Sequence, residues 1–167
     1  MDSPNVFKIV IAYENCCSGS RAMRMTERLA IHLPPSIRIS TESWKFELIE
    51  NPRLQELAVE SIAEADMLIL AASGNKELPP VIAQWIEQWA LCPRTEPVAL
   101  VALHDGEVST PDESNALRAY LHGMARQGNV DFFWYGEDRS TEGGEHISLE
   151  GERPFEAICE GQLVEGR

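Results

Sequence analysis

Three stretches of this chain are apolar at nearly every position: Phe7–Tyr13, the Met-Leu-Ile-Leu-Ala-Ala run within Asp66–Ala72, and Val98–Leu103. Each is strand length and far short of the roughly 20 residues that cross a membrane. A strand with one wet face alternates apolar and polar residues. A strand without that alternation must be covered on both faces, as in a parallel sheet lying between two layers of helices. A fourth apolar run, Val130–Trp134, has the same character.

The intervening segments read as helices. Ser20–Leu33 places Ala22, Met25, Leu29 and Leu33 at helical spacing and is stopped by Pro34 and Pro35. Asn51 is a good N-cap before Pro52, and Leu54, Leu57, Ala58, Ser61, Ile62 and Ala65 trace one face of the helix that follows. Pro79 and Pro80 open a helix whose inward stripe is Ile82, Trp85, Ile86 and Trp89. Thr110-Pro111-Asp112-Glu113 caps another, with Leu117, Tyr120, Leu121 and Met124 on one side and Gly128-Asn129 at its end. Ile37–Ile49 is mixed; its second half alternates Trp44, Phe46 and Leu48, the period of a half-buried edge strand. Five strands alternating with four helices predict an α/β domain with a five-stranded, mainly parallel sheet in the order 2-1-3-4-5.

Charge and cysteine usage narrow the partners. Fourteen basic against 27 acidic residues give −13, a poor balance for gripping a polyanion, so no nucleic acid partner is expected, and no membrane partner either. Met1–Val6 carries Asp2 and has no basic stretch ahead of an apolar one, so no signal peptide is expected. Cys16, Cys17, Cys92 and Cys159 form no Cys-x-x-Cys pair, which reads as a reduced cytoplasmic protein. His32, His104, His122 and His146 show no metal spacing, and no metal is expected.

From Gly136 onward the chain changes character, with nine acidic and three basic residues and six of the 11 glycines. The expected division is an α/β domain over 1–136 and an acidic, Gly-rich segment over 137–167, partly docked through Ile147, Leu149, Phe155, Ile158 and Leu163. No long fifth helix is legible, yet the strands at 7–13 and 130–134 are apolar on both sides. Either His146–Val164 folds back as the cover, or a second copy supplies it in a two-fold homodimer.

In an open sheet of this order, ligands bind beyond the carboxyl ends of the strands. That selects the loops Glu14–Arg21, Ser73–Leu78 and His104–Pro111. Ser18, Gly19 and Ser20 combine small hydroxyls with backbone N–H groups at a helix start, which suits a small anionic ligand such as a phosphate, and Arg21 adds a positive charge. The same residues also suit an ordinary capped turn. Ser73, Gly74 and Asn75 from the second loop, and His104, Asp105 and Gly106 from the third, complete the candidate binding site. No catalytic residue is assigned. Cys16 and Arg21 have four residues between them where the phosphatase spacing has five, and no late Asp-Pro follows. His104 and Asp105 are adjacent and do not face one another on a turn. The dinucleotide glycine spacing and the nucleotide P-loop are both absent.

Over about Phe7–Trp134 the chain resembles the flavodoxin-like superfamily, which includes flavodoxins and NAD(P)H-dependent FMN reductases. The run Cys16-Cys17-Ser18-Gly19-Ser20 after the first strand is similar to the hydroxyl-rich phosphate loop of flavodoxins. Ala65–Leu70, a small loop and the Pro-led segment Leu78–Ile86 are similar to the corresponding strand, loop and helix of the reductases. The resemblance implies a three-layer sandwich and FMN, with phosphate in the first loop and isoalloxazine near the second and third. It implies an electron carrier or oxidoreductase. The first loop lacks the usual threonines, and the second, Ala72–Glu77, lacks the aromatic or Pro-x-Tyr element that packs by the flavin. Those departures leave the alternative of a cofactor-free module serving interaction with a protein partner, or regulation.

Overall fold

The computed structural model describes residues 5–73, 78–105, 111–136 and 147–148. In chain order the elements are β1 (Asn5–Tyr13), α1 (Cys16–His32), β2 (Ile37–Lys45), α2 (Phe46–Glu50), α3 (Gln55–Ala63), β3 (Met67–Ser73), α4 (Pro80–Ala90), β4 (Ala99–Asp105), α5 (Pro111–Gly128), β5 (Asp131–Gly136) and β6 (Ile147–Ser148). The sheet runs β2-β1-β3-β4-β5-β6. Its first five strands are parallel, in the order expected. The sixth is an addition from the C-terminal segment: β6 lies antiparallel on β5, with Tyr135 opposite Ile147 and Trp134 opposite Ser148.

Successive side chains of a strand point to opposite faces, so the apolar runs feed two cores at once. Ile11, Ile69, Val101 and Phe133 stand in register across four strands and pack on the α1 side. Their neighbours Val10, Leu68, Leu100 and Phe132 form the matching row on the other side, against α2 to α5. All eight are buried. The α4 stripe of Ile82, Trp85, Ile86 and Trp89 is buried as its spacing requires. Trp85 is further fixed by an indole N–H that donates to the Ala58 carbonyl of α3 at 2.9 Å.

Three expectations are corrected. First, α1 begins at Cys16, not Ser20, because Asn15 is an effective N-cap. Second, the Trp44–Leu48 alternation is not a strand. The strand is the preceding stretch, Ile37–Lys45, and the chain then coils into α2. Phe46 and Ile49, three apart, are buried together, whereas Leu48 is 43% exposed. Helical spacing therefore decides the segment. Third, the helix expected from Pro52 starts at Gln55. Asn51 instead caps a turn: its side-chain oxygen accepts from the Arg53 N–H at 3.0 Å and its carbonyl from the Leu54 N–H at 2.9 Å. Leu57 consequently turns outward.

The ends of other elements follow local chemistry. Pro79 precedes the first residue of α4, and Asn129, with φ 55°, takes the left-handed position after α5. At Gly128 the helix passes so close to α4 that a Cβ would collide with the Ala90 carbonyl oxygen. Tyr120, expected in the inward stripe of α5, is 40% exposed, and its hydroxyl donates to Glu87 of α4 at 2.7 Å. The remainder of His146–Val164 lies outside the described residues, and so does the question of what covers the sheet in place of a helix after β5.

Candidate functional site

Parallel register brings the carboxyl ends of β1, β3 and β4 to one edge. Tyr13 pairs with Ala71, Ala71 with Leu103, Ala72 with His104, and Ser73 with Asp105. The backbones of Ser73, His104 and Asp105 therefore meet at the end of the sheet where ligands of such folds bind. Gly74, Asn75 and Gly106, the other candidates from these loops, lie outside the described residues.

The first candidate group is fully described, and its geometry differs from the expected cradle. Only Glu14 and Asn15 separate β1 from α1. The Ser18 N–H donates to the Asn15 side-chain oxygen at 3.0 Å, and the Asn15 N–H donates to Ser18 Oγ, also at 3.0 Å. The Ser18 hydroxyl donates to the Asn15 carbonyl at 2.9 Å, and the Gly19 N–H donates to that same carbonyl at 2.9 Å. The Asn15–Ser18 pair is a reciprocal capping box that meets the Ser18 and Asn15 N–H groups, and the Gly19 bond is the first regular bond of the helix. Of the expected anion donors, the Ser18 and Gly19 N–H groups both point to Asn15. Ser18 is fully buried, Ser20 is exposed a turn into the helix, and Arg21 is half-buried. Gly19 serves packing: a Cβ there would stand 2.9 Å from Cδ2 of the Tyr13 ring.

Asn15 is the residue that sequence reasoning missed. The signal was present, since Asn15 and Ser18 have the three-residue spacing of a capping box. Glu14 places a carboxylate directly ahead of this cap, and its own N–H donates to the Ala71 carbonyl at 3.1 Å, fixing the short turn against β3. Cys16 and Cys17, in the first turn, are exposed thiols; Cys92 is exposed and free as well.

Asp66 and Tyr120 have displaced pKa values, and neither lies at this edge. Asp66 precedes β3 at the opposite end of the sheet. Burial pushes its carboxyl above the ordinary value, outweighing the opposing effect of the Lys8 N–H that it accepts at 2.9 Å. Tyr120, on the α4–α5 surface, is pushed up to about 12 by burial and by its hydrogen bond to Glu87. Among the described residues no group of three His, Cys, Asp or Glu side chains could hold a metal ion. No described helix is long and apolar enough to cross a membrane.

Comparison with solved structures fits this geometry into a known architecture. A short-chain flavodoxin associated with a non-canonical PDU bacterial microcompartment superposes with a TM-score of 0.52 at 9% identity, over 98% of this chain and 99% of the other. A flavodoxin from Streptococcus pneumonia TIGR4 superposes with a TM-score of 0.51 at 12% identity, over 96% and 99%. The fold is flavodoxin-like. At such identities the likeness concerns the fold alone. No protein-family model matches the sequence, and no curated protein matches it.

FMN is the group this fold implies, and its phosphate would be expected on the first βα turn. Such a site needs several outward N–H groups and a neutral or positive surround. Here the Ser18 N–H and hydroxyl are spent on Asn15, and the Gly19 N–H makes the first regular bond of the helix. The Cys16 and Cys17 N–H groups, which have no intrahelical acceptor, are the donors left at this turn for a phosphate.

Proposed function

We propose that this chain is a flavodoxin-like module that acts through its surface, as an interaction or regulatory protein, without FMN seated on α1. The observation that carries this reading is the Asn15–Ser18 capping box, which takes the Ser18 N–H and hydroxyl from any ligand at the helix start. A fold can be retained while the site it usually hosts is lost, because the packing of the sheet does not depend on the loops at its edge. The net charge of −13 supports a protein partner over a nucleic acid. Three exposed free thiols, Cys16, Cys17 and Cys92, support a reducing, cytoplasmic setting.

The test is a calorimetric titration of the full chain with FMN. This reading expects no saturable binding below about 100 μM. A one-to-one complex in the low micromolar range or tighter would overturn it.

A second reading, an FMN-binding electron carrier or oxidoreductase, is favoured by one observation: the likeness to two flavodoxins runs along nearly the whole of each chain. In that case flavin would supply the redox chemistry when bound, and Ser73, His104 and Asp105 would stand near it at the strand ends. A purified protein that is yellow, with a flavin spectrum, would decide for this reading.

A further inference from the structure

The sheet has one long open edge. β2 pairs with β1 along nine residues on one side, and no described strand pairs with its other side. An edge of that length presents a row of backbone donors and acceptors to any strand that can lie against it. Charged side chains usually guard such edges, and β2 carries Arg38 and Glu42, both exposed. Here the guards are of opposite sign and are placed two residues to either side of Ser40.

We infer that the free edge of β2 is a self-association surface, to which a second copy of this chain adds its own β2, antiparallel about a two-fold axis at Ser40. Register follows from the alternation of faces. Arg38, Ser40 and Glu42 lie opposite Val6, Lys8 and Val10 of β1 and share the face that carries α3, where Glu42 meets Lys8 Nζ at 3.6 Å and accepts from the Ser61 hydroxyl. About Ser40, Arg38 stands opposite Glu42 of the second copy, and Glu42 opposite its Arg38. Two opposite-charge cross-strand pairs form on one face. On the other face Ile39 stands opposite Thr41. Moving the axis to Thr41 puts Ser40 opposite Glu42, and moving it to Glu42 puts like charges together, so charge selects one register.

The flanking helix suits the same partner. Met23 and Ile31 lie two turns apart on α1 and are 42% and 80% exposed. Met23 stands beside β2, its Sδ 3.9 Å from Ser43 Oγ. A stable interface buries about 800 Å² on each partner, more than a ladder of backbone bonds supplies, and these apolar side chains extend it. Along β1, α1 and β2 the charge balance is basic: residues 5–45 hold six basic and three acidic residues, against 14 and 27 overall. A symmetric copy fits this edge because its charges are arranged about their own centre.

The experiment is sedimentation of the full chain in reducing buffer, at concentrations up to about 100 μM. The wild type should dimerise. Arg38→Glu, at an exposed position, should keep the fold by circular dichroism and weaken the dimer at least tenfold. Adding Glu42→Arg to that variant should restore it. Because Glu42 also holds Ser61 and Lys8, a second arm avoids touching it. Ser40→Cys, with the four native cysteines replaced by serine and the reductant removed, should be oxidised by dioxygen, which is reduced to hydrogen peroxide, to a disulfide-linked dimer, since residue 40 faces itself at about 4.5–5.5 Å between Cα atoms. Gln55→Cys on α3, in the same background, should not. A monomeric wild type at the top concentration, a dimer indifferent to Arg38→Glu, or equal cross-linking at 40 and 55 would overturn the proposal.

Discussion

Asn15 decides more at the first βα turn than the serines and glycine that follow it. Its side chain takes one N–H of the helix start, and its own N–H is met by Ser18. Replacing Asn15 by Ala removes the cap and leaves the buried Ser18 with a lost partner. Asn15→Ala should therefore cost about 1–2 kcal/mol, read in urea unfolding, while Asn15→Asp keeps the acceptor and most of the stability. An unchanged midpoint in Asn15→Ala would mean that the cap contributes nothing.

Asp66 makes a second residue-scale prediction. Its folded pKa is raised, so the folded chain holds that proton more tightly than the unfolded chain does. The site's contribution to stability is complete below the ordinary aspartate value and is lost as pH rises through the folded value. Asp66→Asn keeps an oxygen for the Lys8 N–H and has no charge to desolvate. Measured against wild type in denaturant melts at a series of pH values, Asp66→Asn should gain relative stability as pH rises from about 3 towards 7. A constant difference across that range would contradict the assignment.

At the scale of elements, α2 separates two readings of the same residues. As a strand, Trp44, Phe46 and Leu48 would share a buried face; as a helix, Phe46 and Ile49 are buried and Leu48 is exposed. Phe46→Ala should cost about 3–5 kcal/mol by opening a cavity, and Leu48→Ala should stay within about 0.5 kcal/mol of wild type. Equal losses would favour the strand. The segment reads two ways because Trp44, Phe46 and Leu48 alternate while Phe46 and Ile49 lie three apart, and only burial chooses between the two. By contrast, the runs at 7–13, 67–72 and 98–103 have no competing period. Their length and the Pro and Gly that bound them leave only a covered parallel strand, and sheet order follows from the connections. The start of α1 was misplaced for a different reason: its boundary is set by one side-chain hydrogen bond, not by a pattern of apolar residues. Strand β6 has two residues and no pattern of its own; pairing with β5 alone defines it.

At the scale of the molecule, Ile147 and Ser148 of the C-terminal segment belong to the sheet. β6 closes the edge that β5 would otherwise expose, with Tyr135 and Trp134 as its contacts. A chain ending at Gly144 loses that strand, together with Ile147, Phe155, Ile158 and Leu163. It should melt at a lower temperature or self-associate through the bared edge of β5, as light scattering during a thermal ramp would register. A truncated chain that is monomeric with an unchanged melting temperature would show that the segment adds nothing to the fold.

The central claim is that α1 starts on a cap built from the chain's own residues, and that FMN does not displace it. Amide chemical shifts of the labelled protein test this directly, because Ser18 reports on the N–H group that the cap occupies and Gly19 on the first regular helix bond behind it. With FMN raised to about 1 mM, far above any useful affinity for a resident cofactor, both resonances should hold their positions. A saturable shift of the Ser18 and Gly19 amides at micromolar FMN would contradict the account.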